Sequence, residues 1–381
     1  MKKFLFSTTA LAVAGAFAFS GGANAAEKIK IGLGGFMTSE FGVGSNDGSF
    51  ESDADGSLTK RDAFNTVQDS EIYFTGTTKL DSGVSVSVTV QLEADQSSSG
   101  QNIDESYMKL TGGFGDLRIG YVSGSNTTLK HIAPYVGVAL DGTASDNYIA
   151  VPAAVNANVS TNTATSGDAA KIVYISPVSG GLRIGASYTP STTASNNSPA
   201  IGGTAGTDTQ VYEAVLSFEQ TIGTGSVQAD IAYEHASGTS LNTHDMLRAG
   251  LKISAGGFTV GGSMSRKDDV GDPALGAAAD NGLGKNNTSN TDEITAYDLG
   301  VSYKMGDYTF GVAGTKSNQQ SEIAAEDTES KWGAGVSYGG LGGGVTLTAT
   351  YINADYSDSG QTVVSNNNSG HALIGQIKVS F

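Results

Sequence analysis

The last stretch of the chain, His371–Phe381, reads HALIGQIKVSF and ends the protein on an aromatic residue. Side chains of a β-strand alternate between two faces, so every second residue of this stretch shares a face. The mostly apolar face consists of Leu373, Gly375, Ile377, Val379 and Phe381. A free chain end frays unless a neighbour holds it, and a closed β-barrel supplies that neighbour because its last strand pairs with its first. The sequence therefore predicts that His371–Phe381 closes a barrel.

The N-terminus has the features of a secretory signal peptide. A short basic start, Met1–Lys3, precedes the largely apolar segment Phe4–Phe19 and the small-residue processing site Ala23–Ala25. A membrane anchor is the weaker interpretation, because the apolar segment is shorter than the roughly 20 residues that span a bilayer. We therefore expect residues 1–25 to be removed on export and residues 26–381 to form one barrel domain.

The composition narrows the class of protein further. The chain has 53 glycines, 6 prolines and no cysteine, and its net charge is −17. Abundant glycine together with Ser, Thr and Tyr favours strands and turns over helices. The acidic balance argues against nucleic acid as a partner. Without disulfides, stability must come from secondary structure, packing or oligomerisation.

Short glycine-containing turns alternate with mostly long polar connections along the chain. The short turns are Asp81–Gly83, Gly112–Gly115, Ser179–Gly181, Gly223–Gly225, Gly256–Gly257, Gly306–Asp307 and Gly339–Gly344. The other connections are Gly44–Ala63, Ser97–Gly100, Gly124–Asp168, Pro190–Asp208, Ala236–Thr243, Asp268–Asn290, Ser317–Asp327 and Ser357–Ser369. Seven short and eight other connections join sixteen strands and leave both termini on the short-turn side. The pattern predicts an all-β fold, a 16-stranded antiparallel transmembrane β-barrel with short periplasmic turns and long external loops.

The placement of the aromatic residues separates this fold from a soluble sandwich, which would show the same alternation. If the apolar faces point outward, one band near the long loops contains Phe41, Tyr121, Tyr188, Tyr212, Tyr233, Tyr297, Trp332 and Tyr351. A second band near the short turns contains Phe218, Phe258, Tyr303, Tyr308, Tyr338 and Phe381. A sandwich core would hold its large rings centrally. Two aromatic bands around an aliphatic middle are typical of a lipid-facing barrel.

Several segments resemble the general diffusion porins of Gram-negative bacteria, particularly the sixteen-stranded, trimeric porins of the α-proteobacterial type. They are the opening strand Lys28–Phe36 (KIKIGLGGF), Ser70–Gly76 (SEIYFTG), the hairpin Gly113–Gly120 (GFGDLRIG) and the terminal Phe381. The resemblance implies a homotrimer in the outer membrane, in contact with lipid and lipopolysaccharide. It also implies a third loop folded into the barrel as a constriction, and a C-terminal Phe381 that the barrel-insertion machinery reads.

The longest connection, Gly124–Asp168, differs from its neighbours because it contains apolar runs, such as Val136–Leu140 and Ile149–Val155. A solvated loop has no need of these residues, whereas a loop packed inside a barrel does. We therefore interpret 124–168 as the constriction loop and expect Asp141 and Asp146 to place negative charge at the narrowest point. An outward flap or a subunit latch, in which both carboxylates are merely solvated, stays an open alternative.

Strand parity places both signs of charge on the lumen face. The basic residues, expected to form a wall opposite the constriction loop, are Lys30, Lys109, Arg118, Arg183, Arg248 and Lys252. The acidic residues outnumber them and are Glu71, Glu93, Glu105, Glu213, Glu219, Asp230 and Glu234. Facing charges across a narrow aqueous pore filter ions, although any water-filled barrel also tolerates scattered lumenal charge. The excess of acids predicts a weak preference for cations.

The expected function is a passive, water-filled channel for small hydrophilic solutes and ions, without catalysis and without a cofactor. A substrate-selective channel and a secreted β-rich surface or adhesin protein are the open alternatives. Gly335–Gly339 matches the G-x-S-x-G motif of hydrolases, but it lies in an alternating strand that enters a hairpin, so we attribute the match to chance. Loose calcium binding by the clustered loop acids Asp268, Asp269 and Asp272 is a further alternative.

Overall fold

The computed structural model describes residues 28–48, 50–51, 61–94, 103–140, 144–152, 155, 160–162, 165–192, 208–238, 243–268, 291–321, 326–358 and 367–381. The expected signal peptide, Asp141, Asp269 and Asp272 lie outside these residues. The strands are β1 (Lys30–Ser45), β2 (Phe64–Lys79), β3 (Ser85–Glu93), β4 (Ile103–Gly112), β5 (Gly115–Tyr121), β6 (Ala170–Ile175), β7 (Leu182–Thr189), β8 (Asp208–Ile222), β9 (Gly225–Gly238), β10 (His244–Ala255), β11 (Phe258–Asp268), β12 (Thr291–Met305), β13 (Tyr308–Ser321), β14 (Glu326–Tyr338), β15 (Val345–Asp358) and β16 (Asn368–Ser380). A short helix, α1 (Ser125–Thr128), and a 3₁₀ turn, Ala144–Asn147, follow β5.

The sixteen strands form one closed antiparallel barrel, in which each strand pairs with its neighbours in sequence and β1 pairs with β16. The last residue completes the seam. The backbone N–H of Phe381 donates to the carbonyl oxygen of Gly35, and the N–H of Gly35 donates to that of Phe381, both at 3.0 Å. The predicted strand number and the predicted closure by His371–Phe381 are confirmed.

The apolar faces of the strands point out of the barrel, as the alternation predicts. Ile119, Ile231 and Leu347 expose 46%, 50% and 37% of their surface. Aromatic side chains flank this aliphatic band and often touch across strands, as Trp332 and Tyr351 do at 5.3 Å between ring centroids. Outward-facing apolar side chains suit contact with lipid, since hydrocarbon accepts them at no cost.

The short turns lie at one end of the barrel. In the hairpin between β10 and β11, Gly256 and Gly257 both adopt positive φ, at 58° and 86°. A two-residue hairpin turn of this kind requires such angles, which glycine adopts without strain. Among the described residues, no helix has the length and apolar character needed to cross a membrane.

The connection between β5 and β6 folds into the barrel and packs its apolar side chains against the inner wall. One cluster joins loop residues such as Val138, Leu140 and Ile149 to the lumen-facing Ile352 and Ile374 of the wall. A second cluster packs Val122 and Leu129 of the loop against Val173 of β6 and Val215 of β8. The apolar runs of this connection therefore cover the inner wall, and the in-folded third loop is confirmed.

Candidate functional site

The in-folded connection, called here the inner loop, has two limbs and a tip. The outgoing limb is Gly124–Leu140, the tip is Ala144–Val151, and the returning limb is Ser160–Asp168. The outgoing limb starts at β5 and follows the wall, since Asn126 Nδ2 donates to the Tyr233 carbonyl on β9 at 3.1 Å and Ala133 N donates to Asp298 on β12 at 2.7 Å. We call the lumen face of β7–β16 the covered wall.

Glycines on the covered wall make room for the outgoing limb. A Cβ at Gly335 would lie 2.0 Å from the carbonyl oxygen of Val136, and a Cβ at Gly250 would lie 2.0 Å from that of His131. Further glycines whose Cβ would meet the loop are Gly185, Gly261, Gly300, Gly311 and Gly333. Sequence reasoning assigned glycine to turns and missed this role, although the lumenal parity of these positions was a usable signal.

Polar groups at the rim of the barrel hold the tip. Asn46 Oδ1 accepts from Ala150 N at 2.8 Å, and Asn368 Nδ2 donates to the Ala150 carbonyl at 2.5 Å. Tyr148 packs beneath Gly42, whose Cβ would lie 2.7 Å from the ring. Burial, together with the nearby Glu40 carboxylate, raises the pKa of Tyr148 to about 12. The phenol therefore stays neutral at physiological pH.

Asp146, an expected constriction acid, lies in the 3₁₀ turn of the tip. Its carboxylate is 3.6 Å from Lys331 Nζ on β14, and its backbone carbonyl accepts from Arg61 Nε at 2.8 Å. Burial raises the pKa of Asp146 above its usual value, while the Lys331 and Arg61 charges oppose that rise. Lys331 is itself fully buried and contacts Glu329 Oε1 at 2.8 Å. The Asp146 carboxylate thus lies against the wall beside a buried cation.

Buried carboxylates of the covered wall bind the two limbs. Asp230 on β9 accepts from the backbone N–H of His131 at 2.7 Å and pairs with the buried Arg248 of β10. Glu234 accepts from Thr165 of the returning limb, whose hydroxyl also contacts His244 Nε2 at 2.7 Å. Because burying a charge without donors is costly, these contacts make the limbs and the wall one packed unit.

The lumen face of β2–β4, called here the open wall, remains partly exposed. It carries Glu71, Glu93 and Asp104, whose carboxylate oxygens lie within 4.8 Å of one another. Nearby, Glu105 accepts from Gln91 Nε2 at 3.0 Å. Oxygen ligands at this spacing are of the kind that a hard divalent cation prefers, and they are the described group most suited to one. Asp104 was missed in the sequence, because an irregular register between β3 and β4 shifts its strand parity.

The six basic residues selected from parity all occupy the lumen face of the barrel, but they do not gather in one place. Lys109 and Arg118 lie directly opposite each other on β4 and β5. Arg183 lies on β7, Arg248 and Lys252 lie on β10, and Lys30 begins β1. Arg118 reaches Thr128 of the inner loop at 3.4 Å, and Arg248 is buried beneath the loop.

The remaining predicted residues lie away from the lumen. Phe381 is 67% exposed at the outer surface of the seam. Asp268, the described member of the suggested calcium group, accepts from Arg266 Nε at 2.7 Å at the exposed end of β11.

Lys331 and Asp298 were not selected from the sequence, although both have lumenal parity.

Comparisons with known proteins agree with this geometry. A profile of the Gram-negative porin family matches residues 7–368. A search among curated proteins finds no match. Similar solved structures include the outer membrane channel DcaP of Acinetobacter baumannii, 13% identical, with a TM-score of 0.62 and coverage of 95% of this chain and 100% of that one.

Two further structures are similar over comparable lengths. OmpT of Vibrio cholerae, solved in a trimer form, is 11% identical with a TM-score of 0.61, covering 93% of this chain and 100% of its own. An anion-selective porin from Comamonas acidovorans is 17% identical with a TM-score of 0.56, covering 93% and 100%. At these identities the likeness shows the fold.

Proposed function

The chain belongs to the Gram-negative porin family and forms an outer-membrane channel for passive diffusion, and we propose that solutes pass between the inner loop and the open wall. The observation that carries this proposal is the difference in exposure between the two walls. Acids of the covered wall, such as Glu213 and Glu234, are buried under the loop. Acids of the open wall, such as Glu71 and Glu105, remain partly exposed.

The open wall gives the channel a weak preference for cations. Glu71, Glu93 and Asp104 place three carboxylates close together, and an acidic ring or cluster along an aqueous path lowers the energy of a passing cation. Lys109 on β4 and Arg118 on the adjacent β5 oppose this effect, which keeps the preference weak. The fold alone does not set the sign, since a relative of the same fold is described as anion-selective.

Reversal potentials across a KCl gradient test this assignment. Purified protein in a planar bilayer should conduct, and its reversal potential should correspond to a modest excess of K⁺ over Cl⁻ permeability. The preference should weaken at about 1 M salt, where the Debye length falls to about 3 Å. An excess of Cl⁻ permeability would overturn the assignment, and absence of conductance in folded protein would overturn the channel itself.

A homotrimer is the assembly that the outer surface favours. On β1 and β2, Gln68 Nε2 donates to Ser39 Oγ at 2.7 Å on the lipid side of the barrel. The strands β5 and β6 have 7 and 6 residues, fewer than the about 9–11 that a strand needs to cross hydrocarbon. A second copy would cover both features, and a trimer form is recorded for a structural relative. Conductance should rise in groups of three steps, whereas insertion in single steps would argue for monomers.

A substrate-selective channel is the second candidate, and one observation favours it. Phe36 and Tyr73 have lumenal parity on β1 and β2, with ring centroids 6.3 Å apart, and Lys378 Nζ lies 4.0 Å from the Phe36 ring. Partly exposed rings that border an aqueous path can stack on sugars or aromatic solutes. Saturable block of the current by one such solute, lost in Tyr73→Ala, would support selectivity. A current insensitive to all tested solutes would instead support general diffusion.

The remaining expectations concern export and chemistry. We propose that residues 1–25 direct export, that Phe381 is read by the insertion machinery, and that the barrel contacts lipopolysaccharide and needs neither cofactor nor catalysis. Removal of Phe381 should lower the yield of folded, heat-modifiable barrel in the outer membrane. Unchanged yield would contradict the role of Phe381.

A further inference from the structure

Glu213, on β8, binds both limbs of the inner loop. Its Oε2 accepts from the backbone N–H of Asn126 in the outgoing limb at 3.1 Å. Its Oε1 accepts from the Ser166 hydroxyl in the returning limb at 2.9 Å. The wall residue directly opposite, Ser187 on β7, donates its hydroxyl to Oε2 at 2.6 Å. Glu213 is only 3% exposed, so its carboxylate depends on these donors.

Asp298, on β12, repeats this arrangement at a second place on the covered wall. Its Oδ1 accepts from the backbone N–H of Ala133 in the outgoing limb at 2.7 Å. Its Oδ2 accepts from the Thr161 hydroxyl in the returning limb at 2.8 Å. The residue directly opposite, Ser263 on β11, donates its hydroxyl to the same oxygen. Asp298 is 5% exposed.

The two sites share one design, which we call the double clamp. In each, one carboxylate oxygen holds the outgoing limb, the other holds the returning limb, and a serine on the preceding strand donates to the carboxylate. Two other buried acids of the covered wall differ, because Asp230 binds the outgoing limb and Glu234 binds the returning limb. A carboxylate suits the double clamp, since both of its oxygens accept, whereas an amide offers one acceptor.

We propose that Glu213 and Asp298 are positioning residues that lock the outgoing and returning limbs together and so fix the width of the diffusion path. This inference rests on the proposed function, because the loop must border the path. If a clamp carboxylate loses its contact with one limb, it no longer couples that limb to the other. The loop then moves at that height while the barrel stays intact.

Graded substitutions at the second clamp test this coupling. Thr161→Val removes the contact with the returning limb, Asp298→Asn reduces the contacts to uncharged hydrogen bonds, and Asp298→Ala removes the contacts with both limbs. We expect current fluctuations in the open channel to increase in the order parent, the two weakened variants, Asp298→Ala, with transitions about tenfold more frequent for each charge-assisted hydrogen bond lost. Asp298→Glu, which keeps both oxygens, should fluctuate less than Asp298→Ala. Asp245→Asn, on the outer face of β10, is the matched carboxylate control.

A disulfide supplies a rescue in this cysteine-free chain. The hydroxyl oxygens of Thr161 and Ser263 are 2.7 Å apart, so Thr161→Cys with Ser263→Cys can tie the returning limb to β11. Oxidation should quieten the current of the Asp298→Ala background, and reduction should restore the fluctuations. Ser254→Cys with Thr259→Cys, whose hydroxyls are 2.9 Å apart across the β10–β11 hairpin, is the control pair and should have no effect.

The outcomes separate this inference from the proposed function. A parent protein that folds but does not conduct overturns the channel. A conducting parent with equally quiet Asp298→Ala and Thr161→Val variants overturns the double clamp. Folding is checked by heat-modifiable gel mobility. If Asp298→Ala does not fold, Thr161→Val and Ser166→Ala still decide the matter, because they leave both wall carboxylates in place.

Discussion

The covered wall and the open wall carry the same kind of side chain in different surroundings. On the covered wall, Glu213 and Asp298 are buried and surrounded by donors from the inner loop. On the open wall, Glu71 and Glu93 lie among other carboxylates and stay partly exposed. Lumenal parity alone therefore does not define the role of an acid. What packs on the acid decides whether it holds the loop or acts on passing ions.

The cost of burying a carboxylate explains why the acids of the two walls are not interchangeable. A buried carboxylate without donors costs several kcal/mol, so the buried acids of the covered wall need their hydrogen-bond partners. A carboxylate facing water costs little, and its field is screened within about 10 Å at 0.1 M salt. In the proposed channel, the covered wall therefore contributes shape, and the open wall contributes electrostatic potential.

A side chain added beneath the loop should have the largest effect. In Gly335→Val the new Cβ would lie only 2.0 Å from the carbonyl oxygen of Val136, well inside contact distance. We expect overpacking to cost about 1–3 kcal/mol and to push the outgoing limb toward the open wall, lowering the single-channel conductance. Gly339→Val, where a Cβ meets nothing within 4 Å, is the control. Parent-like conductance and stability in Gly335→Val would show that the loop does not lie on this wall.

Alkaline pH should loosen the tip of the loop, with a smaller effect. The Tyr148 pKa is about 12 in the folded protein and about 10 in an unfolded chain. Because the folded protein holds the phenol proton more tightly than the unfolded chain, Tyr148 contributes about 1–2 kcal/mol to the free energy of unfolding below pH 10. This contribution is lost as the pH rises toward 12. Thermal unfolding followed by gel mobility should show a drop in this window that Tyr148→Phe reduces. Identical pH profiles for the two proteins would refute it.

Neutralising the open wall should have the smallest effect on energy but a distinct effect on selectivity. Glu71→Gln, Glu93→Gln and Asp104→Asn together remove three charges, each worth about 1 kcal/mol or less across water at a few ångströms. We expect the K⁺/Cl⁻ permeability ratio to fall about two- to fivefold, with the folded yield unchanged. Asp245→Asn on the outer face should leave the ratio as it was. An unchanged permeability ratio in the triple variant would show that the selectivity arises at other residues.

The sequence predicts the framework well because the framework is periodic. Alternation along β16 identifies Phe381 as the closing residue, and parity places Arg118 and Arg248 on the lumen face. The apolar run Val136–Leu140 identifies the inner loop. Each inference uses a repeat of two residues or a local composition, which a single chain contains in full.

The sequence does not predict which lumenal residues the loop covers. Glu71 and Glu213 both have lumenal parity, yet their surroundings differ because the loop packs on Glu213 and leaves Glu71 partly exposed. Asp298 and Gly335 matter only through contacts with Ala133 and Val136, far away in the chain. Strand parity does not place Asp104 on the lumen face, because the register between β3 and β4 is irregular. Long-range contacts of this kind leave no periodic signal.

In the proposed channel, water and solutes follow the open wall while the covered wall is sealed. Since the chain has no cysteine, single cysteines can be introduced at Thr89, partly exposed on the open wall, and at Ala296, which is fully buried on the covered wall. A charged, water-soluble thiol reagent is then added during single-channel recording. We expect stepwise loss of current for Thr89→Cys and no change for Ala296→Cys. Equal reaction at both positions, or reaction at Ala296→Cys alone, would contradict it.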